Sequence, residues 1–182
     1  LEDYFLQIDP NITVERGPWP TTYRPRYPIP AKAPSVTLVI PNRDAYEILK
    51  RCIDSILEKT DYTNFSILII DNGSTETQAV QYLEQLNNTN KVRVVKYDQP
   101  FNFSAINNFA IGLCDTPIVG LLNNDLEVIS TDWLTKMVSN LLRPEIGVVG
   151  AKLYYPNDTI QHAGVILGLG PDGVAGHSHK TF

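Results

Sequence analysis

Four short, largely apolar runs, each stopped by polar residues and each followed by apolar residues at helical spacing, constrain this chain more than any other feature. SVTLVI (35–40) stops at Pro41, SILII (66–70) at DNGS (71–74), VRVVKY (92–97) at a polar segment, and PIVGLL (117–122) at NND (123–125). Runs this short, without strict alternation, suit strands covered on both faces of a parallel sheet. After them come Ala45, Ile48, Leu49, Cys52, Ile53, Ile56 and Leu57; then Ala79, Val80, Leu83 and Leu86; then Ala105, Ile106, Phe109, Ala110 and Leu113; then Leu134, Met137, Val138, Leu141 and Leu142. Each set falls on one face of a helix. Asp44 with Glu47 forms a capping box for the first helix, and Ser74, Ser104 and Ser130 are the expected caps of the next three. Four strand–helix alternations predict an α/β fold, a Rossmann-like and mostly parallel sheet with helices on both faces. IGVVGAKLYY (146–155) predicts a fifth strand, and TIQHAGVILG (159–168) another turned partly back on it. The end, GPDGVAGHSHKTF, reads as a glycine-rich loop.

Residues 1–34 differ from the rest. They hold seven of the 13 prolines, in GPWP, YRPRYPIP and KAP. Such composition favours extended chain with few internal hydrogen bonds, here a leader or linker (1–34) before the domain proper (35–182). A plain linker is the simpler reading, and a binding arm the other. The chain carries 15 basic and 20 acidic residues, a formal net charge of -5, so it has no basic field to attract nucleic acid. No apolar run approaches the roughly 20 residues that span a bilayer, and LEDYFLQIDP lacks the basic start and apolar core of a signal peptide. Cys52 and Cys114 both lie in helical apolar patterns, as reduced thiols do. Asn-x-Ser/Thr triplets begin at Asn11, Asn64, Asn72, Asn102 and Asn157. Two of them fall in loops next to the candidate site, which implies that they are unused and the protein cytoplasmic.

In an open parallel sheet, ligands bind beyond the carboxyl ends of the strands. The residues there are Pro41-Asn42-Arg43-Asp44, Asp71-Asn72-Gly73-Ser74 and Asn123-Asn124-Asp125. DNGS is also an ordinary turn before a helix. In the functional reading Asp71 accepts hydrogen bonds from a nucleobase or sugar, and Gly73 lets backbone approach closely. Arg43 is either a phosphate or base contact or a surface residue. A Mg²⁺ or Mn²⁺ ion on a diphosphate needs only one or two protein carboxylates, so Asp125 is sufficient, with Asn123 or Glu127 as helpers. No GxxxxGK[ST] and no GxGxxG follows the first strand, which excludes a P-loop and a dinucleotide fingerprint. A nucleotidyltransferase would carry a glycine-rich loop in place of PNRD. His177 and His179, with His162 upstream, make a poor zinc set because three or four convergent ligands are required.

Together PSVTLVIPNRD, CIDSILEKT, ILIIDNGS, FNFSAINNFA, LLNNDLEVIS, DWLTKMV and AKLYYPNDTIQHAGVILGLG resemble family 2 glycosyltransferases of the GT-A fold, most of all the rhamnosyltransferase-like enzymes of bacterial O-antigen and cell-surface polysaccharide assembly. The resemblance runs from about residue 35 to the end. It implies that Pro41, Asn42 and Arg43 flank the nucleobase and that Asp71 binds it. It also implies that Asn123-Asn124-Asp125 is a DxD-like motif with Asp125 on the metal, and that Asn107 or Asn108 lies near the donor. The motif's first position is asparagine here. His177 or His179 would contact the diphosphate.

The resemblance further implies metal-dependent, inverting transfer of a sugar from a nucleotide-diphosphate donor of UDP or TDP type to a glycan or lipid-linked glycan acceptor. The divalent cation is Mg²⁺ or Mn²⁺, and the place is the cytoplasm or the inner face of the membrane. The family's catalytic base stands on a later helix. Glu145, Asp158 and Asp172 lack its context, so the base is expected beyond Phe182 and the acceptor side of the fold is truncated. The alternative is a non-catalytic nucleotide-sugar-binding module.

Overall fold

In the computed structural model, which describes residues 1–17, 19–168 and 173–179, the four apolar runs lie side by side in one parallel sheet. In chain order the elements are α1 (Glu2–Ile8), β1 (Thr13–Arg16), β2 (Tyr23–Arg26), β3 (Val36–Asn42), α2 (Tyr46–Lys59), β4 (Phe65–Asp71), α3 (Thr77–Asn87), β5 (Val92–Lys96), α4 (Phe103–Ile111), β6 (Ile118–Leu121), α5 (Trp133–Leu141), β7 (Leu153–Tyr154), β8 (Ile160–His162), β9 (Val165–Leu167) and β10 (Ala175–His177). The chain divides into two units, Pro30–Leu134 and Leu1–Ile29 with Thr135–Phe182.

The first unit holds the sheet, in the order β5-β4-β3-β6. The chain steps outward from β3 to β4 to β5 through α2 and α3, then returns through α4 to the far side of β3. Parallel crossovers are right-handed, so reversing the direction of travel places α4 on the face opposite α2 and α3. The packing agrees. Ile106 and Ala110 of α4 bury against Val39, Leu68 and Ile70. The alternate residues Leu38, Ile40, Ile67 and Ile69 face the other way and are fully buried, as are Leu49, Cys52, Ile53 and Ile56 of α2. Each such aliphatic side chain contributes about 1.5–3 kcal/mol by leaving water. Gly120 pairs with Leu38 in register, and a Cβ there would come within 2.9 Å of Leu38 Cδ2.

β3 continues through Pro41 to Asn42 instead of stopping at the proline. The Val39 carbonyl accepts from Leu122 N–H and the Asn42 carbonyl from Asn72 N–H. Odd-numbered residues of β3 therefore bond toward β6, and the N–H that Pro41 lacks falls where β6 has already ended.

Three helix starts differ from expectation. The α2 N-cap is Ala45, with no side-chain cap bond, because Asp44 is engaged elsewhere. α3 starts after Glu76, and Ser74 does not cap it. α4 is capped by Asn102, whose Oδ1 accepts from Ala105 N–H at 3.0 Å, so Ser104 lies inside the first turn. At α5, Trp133 N–H donates to the Ser130 carbonyl, a backbone bond.

In the second unit the N-terminal segment is more regular than its prolines predict. α1 precedes a two-stranded antiparallel ribbon, β1–β2, in which Val14 pairs with Pro25. A ribbon has two edges, and proline is tolerated on an edge. The expected strand over 146–155 shrinks to Leu153–Tyr154. Gly147 and Gly150 interrupt the run and Val148 is 87% exposed; glycine weakens a strand that has no partner beside it. β8 does turn back, pairing antiparallel with β7. Gly164, at φ 109, then breaks the run so that β9 pairs with β10. Pro18 of GPWP, Asp172 and residues 180–182 of the tail lie outside the described residues.

Candidate functional site

Strand order reverses between β4 and β6 on either side of β3, so the carboxyl end of β3 is a topological switch point, where α/β sheets take their ligands. The three loops singled out by sequence meet there. Asn42 and Asp71 are register partners at the ends of β3 and β4. Asn72 N–H donates to the Asn42 carbonyl at 2.8 Å, and Tyr97 N–H to the Asp71 carbonyl at 2.9 Å. Asn124 Nδ2 donates to Asn42 Oδ1 at 2.7 Å, which ties the NND turn to the end of β3.

The individual side chains divide into struts and available groups. Asn42 is buried, and its Nδ2 donates to the Asp44 carbonyl at 3.2 Å while its Oδ1 holds Asn124. Asn72 is buried too, and its Nδ2 donates to the carbonyls of Tyr97 and Gln99. Asp71 is 5% exposed, and its Oδ1 accepts from Ser74 N–H at 3.0 Å. Asn107 is buried with its Nδ2 on the Phe103 carbonyl, whereas Asn108 is exposed. Among the described residues the amide oxygens of Asn72 and Asn107 are buried without a hydrogen-bond partner. Pro41 is half-buried. Arg43 is exposed, its Nε 3.9 Å from Asp44 Oδ2.

Asn123 and Asp125 are exposed. The Asp125 carboxylate accepts no hydrogen bond and forms no ion pair among the described residues. Glu127, by contrast, is paired with Lys59 at 3.1 Å, and Val128 N–H reaches Ser55 Oγ. Beneath the turn, the Cys52 thiol donates to the Asn123 carbonyl at 3.8 Å. Burial, with a smaller contribution from Asp125, pushes that thiol up to about 11. At pH 8 roughly one molecule in a thousand then carries a thiolate there. A disulfide reagent added to native protein is therefore expected to modify Cys52 only as fast as the domain opens, and at full speed in urea. Mass-mapped labelling kinetics check this, and rapid native labelling of Cys52 contradicts it.

Gly73 has φ 79, and a Cβ there would meet nothing within 4 Å. The position takes glycine for its left-handed backbone. Sequence reasoning missed the role of Asp44. It adopts φ 51 and Ala45 φ 55, a left-handed pair of non-glycine residues that costs roughly 1–3 kcal/mol per residue, least for aspartate. Asp44 Oδ1 accepts from Thr75 N–H at 2.6 Å and Glu76 N–H at 2.8 Å. The Glu76 and Thr75 amides hold this carboxyl below its ordinary value. Asp44 thus ties down the loop that leads into α3, across the rim, and does not cap the helix that follows it in sequence.

The described residues contain no group of three or more histidine, cysteine or acidic side chains able to hold a metal. A cation here would take most of its ligands from a bound molecule's phosphates and from water, and Asp125 is the exposed carboxylate of the NND turn that could touch it. The histidines belong to the other unit. His162 and His177 meet edge to face at 5.6 Å, and Ser178 Oγ lies 2.5 Å from His179 Nδ1. No helix among the described residues is long and apolar enough to cross a membrane.

Residues 37–167 match the family described as Glycosyl transferase family 2. The chain is 46% identical over 173 residues to "Uncharacterized protein y4gI" of Sinorhizobium fredii (strain NBRC 101917 / NGR234), covering 94% of this chain and 19% of that protein. It is 41% identical over 161 residues to the O-antigen biosynthesis protein RfbC of Myxococcus xanthus, covering 88% of this chain and 12% of that protein. The chain therefore spans a fifth or less of the length of these relatives. The mannosyltransferase PcManGT from Pyrobaculum calidifontis, solved in complex with GDP-Man and Mn²⁺, superposes with a TM-score of 0.59 at 22% identity, over 78% of this chain and 40% of that one. This last likeness is one of fold.

Proposed function

Because this chain belongs to glycosyl transferase family 2, we propose that its β3–β4–β6 rim binds the nucleotide diphosphate of a sugar donor, and that the longer protein transfers the sugar to a glycan or lipid-linked glycan. The observation that carries the reading is the switch point itself. A buried carboxylate, Asp71, and an exposed uncommitted one, Asp125, stand on the loops either side of the end of β3, where Asn42 is tied to both loops by Asn72 N–H and Asn124 Nδ2.

In this reading Asp71 accepts from the nucleobase, with Pro41, Asn42 and Arg43 beside it and Asn107 below. The amides of Asn123 and Asn124 face the ribose and diphosphate. A divalent cation on the diphosphate, touched by Asp125, would offset the charge that grows there as the glycosidic oxygen leaves. The acceptor hydroxyl attacks the anomeric carbon, the bond to the diphosphate breaks, and configuration inverts. The hydroxyl proton passes to a base that is not among these rim residues. RfbC, named for O-antigen biosynthesis, supports a polysaccharide product. The Mn²⁺ and GDP-Man of the mannosyltransferase support a metal-bound donor.

A cytoplasmic location, including the inner membrane face, is supported by the sequon at Asn72. Asn72 is buried with its amide on two carbonyls, so it is not placed to carry a glycan.

Titration calorimetry with UDP, TDP and GDP, each with Mn²⁺ and again with excess chelator, tests the reading. One of the three is expected to bind, and chelation to weaken it by about tenfold or more, equivalent to roughly 1.4 kcal/mol. Absence of binding by all three, or binding indifferent to the metal, sinks it. Tight metal-dependent binding by a full-length protein that transfers no sugar favours the non-catalytic module instead.

A further inference from the structure

The residues at the switch point form one continuous chain of hydrogen bonds, and Asp44 is its middle link. Asp71 Oδ1 accepts from Ser74 N–H at 3.0 Å, and Ser74 Oγ accepts from Asp44 N–H at 2.7 Å. The Asp44 carboxylate holds the N–H groups of Thr75 and Glu76, which fixes the loop that carries Ser74. The Asp44 carbonyl accepts from Asn42 Nδ2 at 3.2 Å, and Asn42 Oδ1 accepts from Asn124 Nδ2 at 2.7 Å, next to Asp125. Asn42 and Asp71 are both about 95% buried, so these bonds are little weakened by competing water.

The left-handed backbone at Asp44 and Ala45 makes this arrangement specific. A residue in the ordinary right-handed region would swing the Asp44 N–H away from Ser74 and its carbonyl away from Asn42. Asp44 therefore uses three groups at once. Its N–H faces the Asp71 loop, its carboxylate the start of α3, and its carbonyl the strut that holds the NND turn.

We propose that Asp44 is a positioning residue that couples the two halves of the nucleotide site, so that filling the Asp71 side strengthens binding at the Asp125 side and the reverse. This rests on the nucleotide-site reading given above. A ligand ordering one end of the chain restricts Ser74 and Asn42, and the second ligand then meets a turn already held in place. Such coupling is reciprocal, and couplings of this kind typically lie in the range of about 5–150-fold.

The test uses the 182-residue chain with two separate probes. Uridine, thymidine and guanosine probe the base side, and Mn²⁺-pyrophosphate probes the metal side. In wild type, a saturating nucleoside is expected to raise the affinity for Mn²⁺-pyrophosphate about fivefold or more. In Asp44→Gly, which permits the left-handed backbone without strain and removes the carboxylate, that enhancement should fall to about onefold while each probe alone binds within about threefold of wild type. Asp44→Asn should restore part of the enhancement, because its amide oxygen still accepts from Thr75 and Glu76 and asparagine tolerates a positive φ. In Asp44→Gly without ligand, the amide NMR signals of Asn124 and Asp125 should also shift.

A merely structural cap would weaken both probes together and leave their ratio unchanged, and that result overturns the proposal. So does an Asp44→Gly protein with unmoved Asn124 and Asp125 signals. A wild type that binds both probes independently overturns the coupling alone, while one that binds neither overturns the nucleotide-site reading with it.

Discussion

Asp125→Ala is expected to abolish the metal-dependent part of nucleotide-diphosphate binding, a loss of about tenfold or more that matches the loss on chelation, while leaving the fold and nucleoside binding unchanged. The size follows from how little else in the described residues holds a cation. No second carboxylate, histidine or cysteine stands with Asp125 in a group of three, and Glu127 is turned toward Lys59. A cation that keeps most of its contacts with phosphate and water loses its single anionic protein contact in this variant. The fold should not suffer, because Asp125 is exposed and its carboxylate makes no bond that the turn requires. The turn is held instead by Asn124 on Asn42 and by the Asn123 carbonyl over Cys52. Calorimetry with and without chelator, alongside a thermal melt, reads both halves. A variant that still binds in a metal-dependent way rules out Asp125 as the ligand, and a lowered melting temperature shows that it had a structural task.

Ile69→Ala should destabilise the first unit by about 3 kcal/mol, within the roughly 2–5 kcal/mol usual for truncating a buried isoleucine. Ile69 is fully buried in β4, between neighbours on both sides in the sheet, and lies on the same face as Asp71 two residues later. Rigid strands on either side cannot close over the lost methyl groups, so a cavity remains and adds to the transfer term. Against a total stability of about 5–15 kcal/mol this is a large fraction. For a chain of this size it lowers the melting temperature by about 6–12 °C. Ile69→Val should cost only about 0.5–1.5 kcal/mol. Urea melts that give equal midpoints for the alanine variant and wild type would show that this face of the sheet is not the core.

The strands and the loops that end them were legible because their signals are local. A strand covered on both faces must be apolar along its length, and its end must turn polar where the chain leaves the sheet. That is enough to locate Asn42, Asp71 and Asp125 near one rim. The caps were not legible in the same way. Asp44 precedes a helix and is followed three residues later by Glu47, which is the local signature of a capping box. Its actual partners, Thr75 and Glu76, lie 31 and 32 residues away. Nothing in the local spacing distinguishes a carboxylate that caps its own helix from one that holds a neighbouring loop. The same reason misplaced Ser74, whose hydroxyl accepts from Asp44.

The predicted fifth strand failed for a related cause. IGVVGAKLYY has the apolar content of a strand, but content supplies no partner, and only Leu153–Tyr154 finds one, in β8. The N-terminal prolines misled in the opposite direction. Proline excludes a central strand but permits an edge, and a two-stranded ribbon consists of edges.

By itself, then, the amino-acid sequence determined the four strands that form the parallel sheet, their order along the chain, and the chemical kind of residue at each carboxyl end, since burial on two faces leaves little freedom in what a strand is made of. The tertiary structure alone decided which of those end residues became struts and which stayed available. Asn42 and Asn72 are spent on holding loops together, Asp71 is buried with one oxygen engaged, and Asp125 is left open. That division depends on hydrogen bonds between residues that only the sheet brings side by side, and on a left-handed backbone at Asp44 that those bonds sustain.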